Sequence, residues 1–182
     1  MALEQEIKLA VVDLDTLRAK LASRGGSLVT PLTFEDNWVF DDPTGSLRAS
    51  GRLVRLRRFG DVWLLTFKGP AQYADGVKTR TELESGVADG AAVTAILAAL
   101  GLVPARRYQK RREVWKLAAV TVTLDQTPMG QFVELEGDGE FLPELARSLG
   151  LDPGAAARGS YVDLWAEYRT AHPEAPVDMV FP

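Results

Sequence analysis

The sequence contains no cysteine and a single histidine, His172. The lack of thiols excludes disulfide scaffolds, thiolate zinc sites, iron–sulfur clusters and cysteine nucleophiles. One histidine excludes every mechanism that needs a histidine pair or triad. We expect His172 itself to be a solvated residue in a proline-rich tail.

Long apolar runs are also missing. No stretch approaches the ~20 residues that a membrane helix needs, and the longest, residues 91–100, ends before Gly101 and predicts a core helix. The first residues are acidic, whereas a signal peptide is basic and then apolar. We therefore expect a soluble, cytoplasmic protein that does not bind membranes.

The charge balance disfavours a nucleic-acid partner. The chain has 21 Lys and Arg against 25 Asp and Glu, a net charge of −4, and nucleic-acid binders normally show the opposite balance. Its 182 residues, 46% hydrophobic and 25% charged, suit a globular protein with one core. We predict a single domain over residues 1–170 and a C-terminal tail over 171–182.

Strand patterns dominate the chain. Eight segments rich in Val, Thr, Phe and Trp alternate with period two, which predicts strands near residues 3–9, 36–40, 52–59, 62–68, 77–84, 108–116, 118–125 and 131–136. Short turns between them favour antiparallel pairing, and so many strands indicate a barrel or a strongly curved sheet.

Four segments show helical patterns, so the fold class is α+β. They run from Asp13 or Asp15 to Ala22, from Asp89 to Leu100, near residues 141–149 and over about 155–169. Leu14, Leu17 and Leu21 form one apolar stripe, and Val93, Ile96, Leu97 and Leu100 form another. Gly25 and Gly101 mark the ends of the first two helices.

The charged residues of the strands share one face. Alternate side chains point to opposite faces of a strand, and the face opposite the apolar one carries seven cations and seven carboxylates. They are Lys8, Arg55, Arg57, Lys68, Arg80, Lys110 and Arg112, and Glu4, Glu6, Glu82, Glu84, Asp125, Glu134 and Glu136. One water-facing sheet surface explains such alternation in a single strand.

Same-sign pairs such as Glu4 and Glu6 need a further explanation. Residues at positions i and i+2 of a strand lie ~7 Å from each other. Like charges at that distance repel unless an opposite charge lies between them. Carboxylates suit Mg²⁺ or Mn²⁺, whereas Arg and Lys suit phosphate. A sheet closed with this face inward therefore fits a metal–polyphosphate ligand.

These residues resemble the CYTH superfamily, the triphosphate tunnel metalloenzymes. Glu4-Gln5-Glu6-Ile7-Lys8 matches the ExExK signature of the family. Similar blocks follow in order at residues 37–41, 53–57, 65–70, 80–84, 110–112, 124–136 and 160–164. The resemblance covers nearly the whole chain.

The resemblance implies an eight-stranded antiparallel β-barrel, the triphosphate tunnel, with flanking helices and bound Mg²⁺ or Mn²⁺. By position, the metal ligands are Glu4, Glu6, Asp125, Glu134 and Glu136, and the triphosphate ligands are Lys8, Arg55, Arg57, Lys68, Arg80, Lys110 and Arg112. Lys8, Glu82 and Glu84 are the implied catalytic residues. Glu82 and Glu84 resemble family residues that support a second metal or orient the basic side chains, and the alternative is a purely structural pairing with Arg80 or Lys78.

The sequence departs from the family at one position. Many family triphosphatases carry a second-strand tyrosine that tunes the ExExK lysine as a general base, and Val39 takes its place here. We therefore expect Lys8 to be a phosphate ligand first and a base second.

The leading hypothesis is a metal-dependent triphosphatase acting on inorganic triphosphate, thiamine triphosphate or a nucleoside triphosphate. The alternative is a class IV adenylate cyclase that converts ATP to cyclic AMP and pyrophosphate. A hypothesis from another class is a non-catalytic polyphosphate-binding module, which needs fewer metal ligands than are present. The expected partner is a small-molecule triphosphate, with no nucleic acid, and the apolar outer face allows a monomer or a homodimer.

Overall fold

The strands form one antiparallel sheet that closes on itself. A computed structural model describes residues 2–182, and within that range the strands are β1 (Ala2–Val11), β2 (Ser27–Asp41), β3 (Leu53–Phe59), β4 (Val62–Lys68), β5 (Gln72–Ala74), β6 (Val77–Val87), β7 (Val103–Leu117), β8 (Val120–Thr127) and β9 (Gly130–Glu136). Their order is β1-β9-β8-β7-β2-β3-β4-β6-β5, and β1 also pairs with β6. Eight strands thus make a closed barrel, as expected, and the short β5 extends one edge.

The register at the closure sets the inner charges against one another. Glu4 is opposite Arg80, and Glu6 is opposite Lys78, across the β1–β6 pair. On the other side of β1, Lys8 is opposite Glu134. Directly opposed residues are close enough for their side chains to interact, so the backbone pairing itself places acids beside bases.

Five α-helices and one 3₁₀ turn flank the barrel within the described residues. They are α1 (Leu14–Ser23), α2 (Ser46–Ala49), α3 (Gly90–Ala99), α4 (Leu142–Ser148) and α5 (Tyr161–Ala171), with the turn at Pro153–Ala155. Asp13 caps α1 by accepting hydrogen bonds from the backbone amides of Asp15 and Thr16. After α1 the chain turns at Gly25, whose φ of +80° lies in the region that favours glycine.

The main hydrophobic core lies on the outer face of the barrel. Apolar side chains of β1, β8 and β9 pack there against α1 and α4, and the cluster includes Ile7, Leu9, Leu14, Leu17, Leu21, Val122, Leu124, Val133, Leu135 and Leu142. The apolar face thus points outward under helices, leaving the inner face for charges.

Several predicted boundaries differ from the structure; β7, for example, begins at Val103 rather than near residue 108. β2 begins at Ser27 rather than near residue 36, and its pairing with β7 shifts register on both sides of Thr30, close to Pro31, which has no amide to donate. The last helix begins at Tyr161 rather than near 155. Ser160 and Asp163 form a capping box that starts it there.

The predicted apolar stripe of α3 is only half correct. Leu97 is 7% exposed and packs in a cluster with Trp38 and Trp63, but Ile96 is 58% exposed and Leu100 is 71% exposed. The helix has apolar residues on every side, so periodicity alone does not identify its buried side.

Near the C-terminus, residues 178–181 lie against β7. Met179 is buried and its backbone exchanges hydrogen bonds with Arg107 and Gln109. His172 ends α5 and stacks on Tyr168, with ring centroids 4.1 Å apart. No helix in the described part of the chain is long and apolar enough to cross a membrane.

Candidate active site

The inner face of the barrel encloses a cavity of about 370 Å³, called the lumen below. Of the fourteen charged residues expected inside the barrel, all except Asp125 line it. Tyr108, Ser160 and Tyr161 complete its polar wall. A cavity of this size with so many charged walls suits a small, highly charged ligand.

Glu4 joins two cations of the lumen. Lys68 Nζ lies 2.7 Å from one oxygen of Glu4, and Arg80 Nε lies 2.7 Å from the other. Burial opposes ionisation, but Lys68 and Arg80 outweigh it and lower the pKa of Glu4. Lys68 also lies 2.9 Å from Glu82, so two carboxylates share one ammonium group.

Arg55 and Arg57 are anchored by Glu84. Arg57 donates to Glu84 at 2.9 Å, and Arg55 lies 3.4 Å from the same carboxylate. Arg55 also donates to the hydroxyls of Thr66 at 3.1 Å and Tyr108 at 3.2 Å. The two guanidinium groups are therefore held side by side on the lumen wall. The expected alternative partners of Glu82 and Glu84, Arg80 and Lys78, are not their ion-pair partners in the described chain.

Glu35 is a buried acid behind the cations. It is 0% exposed, and its carboxylate lies 3.5 Å from Lys110, 3.6 Å from Arg57 and 4.0 Å from Arg112. Burial acts to raise its pKa, yet Lys110, Arg112 and Arg57 lower the pKa to about 2. The charge of Glu35 thus keeps three lumen cations close together.

Glu134 and Asp125 hold the cations at the other side of the lumen. Lys8 Nζ lies 3.2 Å from Glu134. Arg112 donates hydrogen bonds to both Glu134 and Asp125 and so links the two carboxylates. Burial opposes the ammonium form of Lys8, but Glu134 and Glu6 raise its pKa. Glu6 in turn accepts a hydrogen bond of 2.7 Å from Lys78.

Tyr161, the first residue of α5, projects into this group. Its hydroxyl donates to Asp125 at 2.6 Å. The Nζ atoms of Lys8 and Lys110 lie 4.2 Å and 4.7 Å from the centre of its ring, within the range of cation–π attraction. A tyrosine therefore contacts Lys8 although Val39 replaces the second-strand tyrosine of the family.

Asp125 occupies a different place from the other expected metal ligands. It is fully buried, lies outside the lumen wall, and accepts hydrogen bonds from Lys110, Arg112 and Tyr161. Its oxygens are already engaged by three donors. The geometry thus gives Asp125 the position of a support for cations rather than of a lumen ligand.

Glu136 is the lumen carboxylate without an ion pair among the described residues. Burial and the charges of Glu4 and Glu82 raise its pKa to about 7. Within residues 2–182, no three acidic or imidazole groups converge into a ready-made cation site. The donor set fits Mg²⁺ or Mn²⁺ in another way, because Mg²⁺ is commonly held by one or two carboxylates together with phosphate oxygens of a substrate.

Sequence reasoning missed Glu35, Tyr108 and Tyr161. Tyr108 lies within the strand predicted over 108–116 and has the same parity as Lys110 and Arg112, so alternation alone could have identified it. Glu35, which is opposite Lys110, lies just outside the strand predicted over 36–40 and was detectable had β2 been given its full length. Tyr161 lies in a block that resembles the family, but nothing in its local pattern indicates that its side chain lines the lumen.

Solved structures show the same fold. A proposed adenylate cyclase from Vibrio parahaemolyticus is 20% identical, with a TM-score of 0.80 over 90% of this chain and 97% of that one. A protein from Pyrococcus horikoshii OT3 is 25% identical, with a TM-score of 0.75 over 91% and 99%. A proposed adenylyl cyclase from Hippeastrum, described as revealing a dominant triphosphatase activity, is 17% identical, with a TM-score of 0.66 over 98% of each chain.

No curated protein sequence matches the chain. The family model for the CYTH domain matches residues 2–160, which includes every charged strand residue of the lumen wall. The barrel topology, the inward charges and this match agree, and the chain belongs to the CYTH domain family.

Proposed function

We propose that this protein is a divalent-metal-dependent triphosphatase that hydrolyses a triphosphate in the lumen. The observation that carries the proposal is the convergence of seven cationic side chains on one cavity, each held in place by a carboxylate. A triphosphate carries several negative charges along a short chain, and positioned cations stabilise such a chain and its transition state.

The cationic residues would divide the binding of the phosphates. Arg55 and Arg57, fixed by Glu84, present guanidinium groups that suit paired phosphate oxygens. Lys68 and Arg80, which both pair with Glu4, form a second group. Lys8, Lys110 and Arg112 form a third group around Glu134 and Asp125.

Acids of the lumen would serve two purposes. Glu136, with Glu4, Glu6 and Glu134 nearby in the wall, supplies oxygen donors for Mg²⁺ or Mn²⁺. A cation bound there would neutralise charge on the phosphate oxygens. Glu82, Glu84 and the buried Asp125 instead orient basic side chains. Lys8 is assigned to phosphate binding, because Glu134 and the ring of Tyr161 both favour its charged form.

The comparison with the Hippeastrum protein supports hydrolysis as the reaction. That protein shares the fold and is described as revealing a dominant triphosphatase activity. At 17% identity the likeness concerns the fold, so the activity has to be measured on this chain.

Product analysis tests the proposal. Purified protein is incubated with Mg²⁺ or Mn²⁺ and, separately, with ATP, thiamine triphosphate and inorganic triphosphate. We expect orthophosphate to be released, and the release to stop when the cation is chelated. Cyclic AMP and pyrophosphate from ATP would instead identify an adenylate cyclase, and tight binding without any product would identify a binding module.

A further inference from the structure

Tyr161 presents a ring of fixed orientation to the lumen. Its side chain is 4% exposed, and it lines the lumen from the first position of α5. The hydroxyl donates to Asp125 at 2.6 Å. Phe132 packs edge-on against the ring, with centroids 5.4 Å apart, and the ring of Tyr108 lies 6.0 Å away. Contacts at both the hydroxyl and the ring therefore hold this side chain in one position.

Two ammonium groups of the lumen contact the ring. Nζ of Lys8 lies 4.2 Å from the ring centre, and Nζ of Lys110 lies 4.7 Å from it. Both lysines are buried, at 5% and 1% exposure. The attraction between a cation and an aromatic face is stronger where water is excluded, so the ring acts on both lysines under conditions in which its effect is large.

Lys8 depends on the ring more than Lys110 does. Two carboxylates lie near Nζ of Lys110, at 3.2 and 3.5 Å. Among the described residues, Glu134 is the one carboxylate within ion-pair distance of Lys8, at 3.2 Å. Glu134 also accepts a hydrogen bond from Arg112. Because its acidic partner is shared, Lys8 gains the most from a second contact.

We propose that Tyr161 is a positioning residue of the lumen, and that its ring holds the ammonium group of Lys8 in place for triphosphate binding. The inference rests on the proposed function and adds to it a residue of α5, which follows the residues 2–160 that the family model matches. A side chain that is already held in its binding position loses less conformational freedom when the ligand binds. Removal of the ring should therefore weaken triphosphate binding although Lys8 keeps its charge.

Two substitutions at position 161 separate the ring from the hydroxyl. Tyr161→Phe keeps the ring and removes the hydrogen bond to Asp125, whereas Tyr161→Leu removes the ring as well. Tyr168→Leu is the matched control, because Tyr168 belongs to the same helix but stacks on Trp165 and His172 outside the lumen wall. Calorimetry on the full chain with Mg²⁺ measures the Kd of bis(methylene)triphosphonate. This analogue of inorganic triphosphate has P–C–P bridges that are not hydrolysed, so binding is measured without turnover.

We expect Tyr161→Leu to weaken binding at least tenfold, Tyr161→Phe less than threefold and Tyr168→Leu less than twofold. In the Lys8→Met background, Tyr161→Leu should weaken binding less than threefold, because the ring then has no ammonium group of Lys8 to hold. Circular dichroism checks the fold of each variant. If Tyr161→Leu does not fold, pentafluorophenylalanine at position 161 replaces it, since this residue keeps the ring but reverses the charge on its face. It should bind the analogue at least tenfold more weakly than Tyr161→Phe.

Three results would overturn the inference. One is an equal loss of affinity in Tyr161→Phe and Tyr161→Leu, which would assign the effect to the hydroxyl. The second is unchanged affinity in Tyr161→Leu, and the third is an undiminished effect of that substitution in the Lys8→Met background. If the wild-type protein does not bind the analogue, the inference also fails, and product analysis still decides the proposed function. Binding of the analogue without any product from the three triphosphates would instead overturn the proposed function and leave the role of Tyr161 in binding to be judged by the variants.

Discussion

Glu136 is the residue at which the electrostatics of the lumen are least balanced. The charges that act on it include the acids Glu4 on β1, Glu82 on β6 and Glu134 on its own strand, with Lys68 on β4 as the opposing charge. Burial and these acids raise its pKa from 4.5 to about 7. An acid that is easier to ionise in the unfolded chain destabilises the fold once it is charged.

The substitution Glu136→Gln tests this imbalance. Between about pH 4.5 and 7 the folded protein keeps a proton that the unfolded chain has lost, so wild-type stability should fall as the pH rises through this interval. The variant should lack that fall, and it should also lose the stabilisation that Mn²⁺ gives the wild type. Urea unfolding with and without Mn²⁺ measures both effects, with the exposed Glu140→Gln as the control. A Mn²⁺ effect that persists in Glu136→Gln would contradict the assignment of this residue as a metal ligand.

Strand β3 shows how alternation separates binding residues from surface residues. Arg57 points into the lumen and is held by Glu84 and Glu35, whereas the adjacent Arg58 points outward and lies 3.5 Å from the exposed Asp61. The two positions differ in direction but not in residue type, which gives a matched pair of substitutions.

We expect Arg57→Ala to raise the KM for the preferred triphosphate at least tenfold, because the phosphate loses a cationic, two-pronged donor. Arg58→Ala should change KM less than twofold. Steady-state kinetics at fixed Mg²⁺ measure both values, and circular dichroism checks that each variant is folded. If the two variants had equal KM values, Arg57 would not be a ligand of the triphosphate.

Helix α3 offers the same comparison for stability. Leu97 is buried at 7% exposure and Leu100 is 71% exposed, although they lie on one apolar segment. Leu97→Ala should lower the free energy of unfolding by about 2–4 kcal/mol, because it removes buried methyl groups and leaves a cavity. Leu100→Ala should change it by less than about 0.5 kcal/mol. Urea unfolding distinguishes the two, and similar losses in both variants would mean that Leu100 is covered in solution.

Period-two alternation was enough to predict the barrel strands and the inner charges, because a strand between core and lumen must keep its faces distinct. Alternation did not predict where an element begins, or which side chains of one element contact another element. The residues of β2 before Asp36, Glu35 among them, lay outside the predicted strand, and the pairing of the first part of β2 with β7 is irregular on both sides of Thr30. Tyr161 reaches Lys8 through the packing of α5 against the barrel end, a tertiary contact without a local signature.

In the molecule as a whole, the stability of the barrel depends on how well the charges of its inner face are paired. The helices cover the apolar outer face, so the inner face has to bury its ions, which is favourable only where they pair. Glu4, Glu35 and Glu134 all have lowered pKa values because neighbouring cations outweigh their burial. Glu82 and Glu136 have raised pKa values, since burial and nearby acids dominate there.

These opposite shifts predict a stability optimum in mild acid for the metal-free protein. The first group stabilises the fold when ionised, and this contribution is lost as the pH falls from about 4.5 toward the pKa of Glu35 near 2. The second group destabilises the fold when ionised, so stability falls again as the pH rises from about 4.5 toward 7. Urea unfolding in a chelator across pH 2.5 to 8 should therefore show a maximum near pH 5. With bound Mg²⁺ the maximum should move toward neutral pH, because the cation compensates the negative charge of Glu136. A metal-free stability that rises steadily to pH 7 would contradict the unbalanced acidic side of the lumen.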